Sequence, residues 1–144
     1  MTNRFIIRVY GILIHNNAVL VSDETIAGKH VTKFPGGGLE FGEGTLECLE
    51  REFYEELNLK INVTGHFYTT DFYVPSAFDP SIQVISIYYL VDPVNTDKLQ
   101  NPRSHTDEKQ TFRWIQLDHM RDLDFTLVID KRVANMIIER FLRK

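Results

Sequence analysis

A glycine-rich segment runs into an acidic helix between residues 37 and 59, and this join restricts the fold more than any other feature of the chain. Six residue identities occur in it at fixed spacing: Gly37, Glu43, Arg51, Glu52, Glu55 and Glu56. Because an α-helix advances about 100° per residue, positions three and four apart lie on the same face. The spacing therefore predicts that Glu52, Glu55 and Glu56 share one side of a helix.

The sequence also signals where this helix begins and ends and which face packs on a core. Thr45 is predicted to be the N-cap, Glu47 places negative charge in the first turn, and Asn58 is expected in the left-handed conformation after the last turn. Apolar residues recur beside the acids at helical spacing: Leu46, Leu49, Phe53 and Leu57. We therefore expect the glutamates to border buried surface. Cys48, the single cysteine, is interpreted as a small packing residue.

Acidic charge is concentrated in this segment. From Glu40 to Leu57 the chain has seven acidic residues and one basic residue, a net charge of −6, whereas the remainder carries +2 of the total of −4. Arg51 is expected to pair with Glu47 and Glu55, four residues away on either side, which leaves most of the acids without a cation. A solvated acidic helix face is the simplest alternative. The adjoining glycines and apolar stripe favour a metal site instead, and carboxylate oxygens without clustered histidine favour Mg²⁺ or Mn²⁺.

The same residues resemble the signature of the Nudix hydrolases, MutT-like enzymes that act on nucleoside diphosphate-linked compounds. That signature is a glycine, five residues, a glutamate, seven residues, and then Arg-Glu-apolar-x-Glu-Glu-x-Gly-apolar. It covers 23 of the 144 residues, and Asn58 stands where the family has glycine. Asparagine is the next most tolerant residue in the left-handed conformation, so we expect the turn to be preserved.

The resemblance implies a metal site at the signature helix. Its ligands would be the backbone carbonyl of Gly36 and the carboxylates of Glu52, Glu55 and Glu56. Arg51 and Glu43 would orient these acids.

The resemblance also implies the reaction, which is attack of water on a phosphorus atom of a diphosphate linkage. The metal ions would neutralise phosphate charge and acidify the water. The general base varies across the family, and three residues are candidates here: Glu56, Asp107 and Glu108. The last two lie in a polar loop before the strand that contains Phe112.

The identity of the substrate depends on weaker signals. Candidate contacts to substrate are Lys33, Gly37, Gly38, Tyr73 and Pro75. Pro75 lies 16 residues after Leu59, a spacing that resembles the ADP-ribose pyrophosphatases, whereas dinucleoside polyphosphate hydrolases tend to carry a tyrosine there. ADP-ribose or another nucleoside diphosphate sugar is therefore ranked first, and a nucleoside triphosphate, cleaved by a house-cleaning pyrophosphohydrolase, is the alternative. A non-catalytic nucleotide sensor is a third possibility, against which the three mutually repelling carboxylates argue.

Length and composition predict a single enzyme domain over residues 1–144, with 43% hydrophobic and 25% charged residues. No apolar run approaches the roughly 20 residues that span a bilayer, and no cleavable signal is evident, so we expect a cytoplasmic protein without a membrane partner. No basic stripe suggests a nucleic-acid polymer. The expected partner is a small nucleotide, and the resemblance implies a possible homodimer.

Hydrophobic patterns along the chain alternate between strand and helix. Strands are predicted at Phe5–Ile14, Ala18–Val21, Val31–Phe34, Ile61–Tyr73, Ile82–Val91 and Gln110–Leu117, with a hairpin turn at residues 15–17 and a last helix from Thr126 to Arg143. This order predicts an α/β protein, and the resemblance implies a Nudix-type α/β/α sandwich with a mixed β-sheet.

Overall fold

The computed structural model describes residues 2–99 and 110–142. Within these ranges the chain forms seven β-strands and two α-helices: β1 (Arg4–His15), β2 (Ala18–Ile26), β3 (Lys29–Lys33), β4 (Gly36–Gly38), α1 (Thr45–Leu57), β5 (Ile61–Thr69), β6 (Ile82–Pro93), β7 (Gln110–Gln116) and α2 (Val128–Phe141). Short 3₁₀ helices occupy Thr96–Leu99 and Asp122–Asp124. The predicted strands and helices occur in the predicted order, and β4, which was not predicted, is added where the glycine segment pairs with β1.

The sheet is mixed, as predicted. Its main strand order is β3-β2-β1-β6-β5, with β4 pairing to β1 and β7 pairing to β2. The long β1–β6 pair is parallel, and the other pairs are antiparallel. Strand β1 therefore contacts β2, β4 and β6, and it lies at the centre of the fold.

Side chains of β1 alternate between two hydrophobic cores because successive residues of a strand point to opposite faces. Val9 and Leu13 pack with α1, whereas Tyr10 and Ile12 pack with α2. One helix thus covers each face of the sheet. The α/β/α sandwich is confirmed, and its central strand supplies residues to both cores.

Helix α1 begins and packs differently from the prediction in two details. Gly44, not Thr45, is the N-cap, because the Glu47 carboxylate accepts a hydrogen bond from the Gly44 backbone N–H at 2.7 Å. Leu46 is 46% exposed and was wrongly assigned to the buried stripe, whereas Cys48 is fully buried in its place. Asn58 has φ 52° and ψ 37°, which confirms the left-handed residue after the helix.

The remaining differences in element bounds follow from strand pairing. Strand β2 continues to Ile26 because it pairs with β3 on one side and β7 on the other. The residues after Thr69 leave the β5–β6 ladder. Thr126 precedes α2 because its backbone N–H donates to the Thr32 carbonyl at 3.1 Å and its hydroxyl accepts from the Thr32 N–H at 2.9 Å. The predicted turn at residues 15–17 is confirmed by positive φ angles at Asn16 and Asn17.

Candidate active site

The glycine segment forms a short strand against β1 and lies directly below the acids of α1. A Cβ atom added at Gly37 would lie 1.8 Å from Oε2 of Glu52, far inside any real contact distance. Only glycine therefore allows the Glu52 carboxylate to rest against the backbone of β4. This close approach explains why the glycine and the glutamate occur together at fixed spacing.

Arg51 organises the outer part of the acidic cluster. Its Nη2 and Nε atoms donate to the two carboxylate oxygens of Glu43 at 2.7 and 3.0 Å. Nη1 donates to Glu55 at 3.1 Å, and Nη2 also reaches the Gly38 carbonyl at 3.3 Å. The hydrogen bonds from Arg51 lower the pKa of Glu43 to about 2. Arg51 thus joins helix, loop and β4 as a single charged network.

The expected pairing of Arg51 with Glu55 is present, whereas its expected pairing with Glu47 is wrong. The Glu47 carboxylate is directed to the N-terminus of the helix, where it accepts from the Gly44 N–H. Glu43 takes that place beside the arginine, because the loop before α1 folds back alongside the helix.

The inner acids are less exposed. Burial raises the pKa of Glu52, and it raises the pKa of Glu56 to about 7 although Lys33 and Gln110 oppose this rise. Oε2 of Glu56 accepts a hydrogen bond from Gln110 at 3.0 Å. Oε1 of Glu56 is buried and has no hydrogen-bond partner among the described residues. Glu55 differs from both, because its side chain is 54% exposed.

The donor atoms of these side chains are of the type that binds a hard divalent cation. Within residues 2–99 and 110–142, no three His, Cys, Asp or Glu side chains are already gathered into a metal-holding group, and Glu55 is engaged with Arg51. The donor set nevertheless consists of carboxylate oxygens, which Mg²⁺ and Mn²⁺ prefer. The buried Oε1 of Glu56, unpartnered among the described residues, is one such oxygen. The Gly36 carbonyl, on the strand next to Gly37, stays a predicted ligand.

A cavity of about 600 Å³ opens on the α2 side of the sheet. Its walls are mainly apolar and come from β1, the β2–β3 hairpin, residues 72–78, β6 and the start of α2. Three of the predicted substrate contacts line it: Lys33, Tyr73 and Pro75. The other two, Gly37 and Gly38, lie beside the acids instead. The structure therefore divides the predicted substrate contacts between two neighbouring regions.

Two cations lie where the cavity meets the acids. Lys33 is 2% exposed, and its Nζ atom lies 3.1 Å from Oε1 of Glu24. Burial alone would lower the pKa of Lys33, but Tyr10 and the carboxylates of Glu24 and Glu56 outweigh burial and raise it. Arg8 donates to the Tyr10 hydroxyl at 2.7 Å. Both cations line the cavity.

The electrostatic effects on Arg8 connect it to the acidic cluster. Burial opposes its charged form, whereas Tyr10 and the charge of Glu52 raise its pKa above the ordinary value. A Cβ at Gly38 would lie 3.7 Å from Nη1 of Arg8, so the guanidinium adjoins the glycine strand. A bound anion that extends from the cavity toward α1 would pass these cations.

Asp130 and Gln110 are polar site residues that the sequence interpretation missed. Asp130 is fully buried in the first turn of α2, lines the cavity and accepts a hydrogen bond from the Tyr88 hydroxyl. Burial raises the pKa of Asp130 to about 6. The apolar spacing of α2 predicts a packing helix, and nothing in that pattern indicates that Asp130 is buried. Gln110 was recognised only as the first residue of a strand.

Asp107 and Glu108 lie outside the described residues, so their assignment as general-base candidates stays a prediction.

Comparisons with known proteins agree with the fold. The family model described as the NUDIX domain matches residues 5–135. An 8-oxo-dGTP diphosphatase of Buchnera aphidicola is 27% identical over 117 residues, which cover 78% of this chain and 86% of that protein.

Solved structures give the same result for the fold. A MutT structure described for Aliivibrio salmonicida and Vibrio cholerae has a TM-score of 0.68 at 21% identity and covers 95% of this chain and 99% of its own. MutT of Methanosarcina mazei Go1 has a TM-score of 0.71 at 17% identity and covers 100% and 99%. Neither helix of the described residues is long and apolar enough to cross a bilayer.

Proposed function

We propose that this chain, which belongs to the Nudix hydrolase family, is a nucleoside triphosphate pyrophosphohydrolase that uses Mg²⁺ or Mn²⁺. As a member of that family it is a hydrolase of phosphoric anhydride bonds in small nucleotide substrates, and enzymes of the family generally use divalent metal ions. The finer assignment concerns the substrate, the ion and the residues that act.

The observation that carries the proposal is the junction between the apolar cavity and the acidic face of α1. The cavity of about 600 Å³ is large enough for a nucleoside, and aromatic side chains at residues 72, 73 and 78 line it. Lys33 and Arg8 lie between this cavity and the acids, where a polyphosphate would need cations. A nucleoside in the cavity would therefore direct its phosphates toward Glu52 and Glu56.

The chain's residues divide the work of hydrolysis. Glu52, Glu55 and Glu56, with the Gly36 carbonyl, would hold the divalent ions, which when bound neutralise phosphate charge and acidify water. Arg51 and Glu43 keep the acidic helix face in a fixed arrangement through their bidentate pair. Lys33 and Arg8 bind the phosphate chain and set its direction. The general base remains open between Glu56 and the two acids at 107 and 108.

The names of the similar proteins favour a nucleoside triphosphate over ADP-ribose as the substrate. The Buchnera relative is named an 8-oxo-dGTP diphosphatase, and the two structural neighbours described above are named MutT. The spacing of Pro75, which ranked ADP-ribose first, has a local explanation. Pro75 forms an isolated antiparallel bridge with Gln83, between the backbone bonds of Val74 to Val84 and of Ser76 to Ile82. A proline that closes this turn is explained without any substrate.

The experiment is a product assay on a panel of substrates with Mg²⁺ or Mn²⁺: normal deoxynucleoside triphosphates, 8-oxo-dGTP, ADP-ribose and a dinucleoside polyphosphate. We expect a nucleoside monophosphate and pyrophosphate from a triphosphate, at a higher kcat/KM than for ADP-ribose. Glu52→Gln should lower turnover by about a hundredfold or more. Glu50→Gln makes the same chemical change at an exposed site on α1 and is the matched control.

Preferred cleavage of ADP-ribose would reverse the ranking of substrates. Metal-dependent nucleotide binding without any product would instead support the sensor hypothesis. Equal turnover in Glu52→Gln and Glu50→Gln would remove the inner acid from the mechanism.

A further inference from the structure

Gln110 connects the sheet to the innermost acid of α1. It is the first residue of β7, it is 8% exposed, and it lies opposite Glu24 in the β2–β7 ladder. Its Nε2 atom donates to Oγ of Ser22 at 3.1 Å and to Oε2 of Glu56 at 3.0 Å. Ser22 is fully buried. A buried hydrogen-bonded chain therefore runs from β2 through β7 to α1.

The amide of Gln110 uses both of its N–H donors in this chain, since a side-chain amide nitrogen carries two hydrogens. One donor is held by the serine, and the other is directed at one particular oxygen of Glu56. This hydrogen bond makes the two carboxylate oxygens of Glu56 inequivalent. Oε2 faces the amide, and Oε1 is the buried oxygen without a partner among the described residues.

No other neighbour holds Glu56 in the same way within the described part of the chain. Lys33 influences Glu56 through its charge, but its Nζ atom lies 3.1 Å from the Glu24 carboxylate. Charge attraction alone does not select one oxygen of a carboxylate, whereas an anchored amide does.

We infer that Gln110 is a positioning residue, which holds Glu56 by Oε2 and so presents Oε1 to the divalent cation. The inference depends on the proposed function, in which Glu56 is a metal ligand. Partners that hold metal-binding side chains typically change metal affinity or activity by about 10- to 100-fold when removed. A merely structural tie between β7 and α1 would instead change stability and leave metal affinity unchanged.

The test is the affinity of the purified protein for Mn²⁺, measured by titration with detection of free Mn²⁺ by electron paramagnetic resonance. Gln110→Leu keeps the approximate size but removes the donor, and we expect its Kd for Mn²⁺ to rise about 10- to 100-fold. Gln116→Leu makes the same change at an exposed site of β7 and should bind Mn²⁺ like the wild type. Ser22→Ala removes only the anchor and should give a smaller rise.

A second comparison shows whether Gln110 acts through Glu56. Adding Gln110→Leu to Glu56→Gln should leave the Mn²⁺ Kd of the single variant unchanged, because the carboxylate to be positioned is gone. Thermal unfolding of each variant establishes that it is folded. If Gln110→Leu does not fold, Gln110→Asn, whose shorter amide cannot reach both partners, carries the same expectation.

The outcomes separate this inference from the proposed function. Wild-type Mn²⁺ affinity in Gln110→Leu, together with weakened affinity in Glu56→Gln, overturns the role of Gln110 alone. An equal loss from Gln110→Leu in the presence and absence of the Glu56 carboxylate also overturns it. Wild-type affinity in Glu56→Gln overturns both the positioning role and the metal site on which it depends.

Discussion

Replacing Gly37 by alanine introduces a methyl group into the space that the Glu52 carboxylate occupies. The new Cβ would lie 1.8 Å from Oε2 of Glu52, whereas ordinary contact begins at 3.4 Å, so the carboxylate must move by about 1.6 Å. Because the displaced group is the end of a flexible side chain, we expect the fold to survive with a loss of about 1–3 kcal/mol. Misplacement by about 1 Å costs on the order of a hundredfold in rate, and we expect a loss of that size in kcat.

Hydrolysis of a nucleoside triphosphate with Mg²⁺, measured beside thermal unfolding, checks the expectation for Gly37→Ala. Gly65→Ala is the matched control, because a Cβ there meets no atom within 4 Å. Adding Glu52→Asp, which shortens the acid by one methylene, should recover part of the lost stability but not the rate. A folded Gly37→Ala protein with wild-type kcat would refute the reasoning that links this contact to catalysis.

Three further predictions concern other parts of the site. Lys33→Met should raise KM for a triphosphate, and it should destabilise the protein because Glu24 loses its ion-pair partner. Adding Glu24→Gln to Lys33→Met should restore stability, measured by urea unfolding, but should not restore KM. Burial raises the pKa of Asp130 to about 6, so between about pH 4 and pH 6 this carboxyl is protonated in the folded state and ionised in the unfolded state. The free energy of unfolding should therefore fall by about 3 kcal/mol as the pH rises through this range. Asp130→Asn should remove that part of the pH dependence in urea unfolding across this range. Asn58→Ala should lower stability by about 1 kcal/mol because alanine is strained at φ 52°, whereas Asn58→Gly should not; equal midpoints would contradict this.

Features that depend on local spacing were predictable from the sequence. The acidic helix, the left-handed residue that follows it and the turn at residues 15–17 each follow from patterns within a few positions. The helix start was one residue off because the Glu47 carboxylate satisfies the Gly44 N–H, and this makes glycine an adequate cap without a side chain. Exposure of Leu46 escaped prediction because periodicity gives a direction on the helix but not the extent of the sheet below it.

Features that depend on distant pairing were not predictable. Gln110 reaches Glu56 across 54 positions because β7 pairs with β2, and no pattern near either residue announces that pairing. Asp130 resembles any solvent-exposed acid on an amphipathic helix until the position of α2 against β6 buries it. The acidic face of α1 was therefore predictable from the sequence, whereas the residues that approach it or the cavity from distant elements were not.

The segments that line much of the cavity are different from the helix that carries the acids, and this division has an evolutionary consequence. Much of the cavity wall comes from residues 26–31, 72–78 and 126–130, and none of these segments contributes a carboxylate of α1. If the cavity takes the nucleoside, as proposed, point changes in those segments would alter which nucleoside is accepted and would leave the acids of α1 unchanged. Descendants of one ancestral gene would then change their nucleotide preference through drift in these three segments, and the acidic helix would be retained throughout.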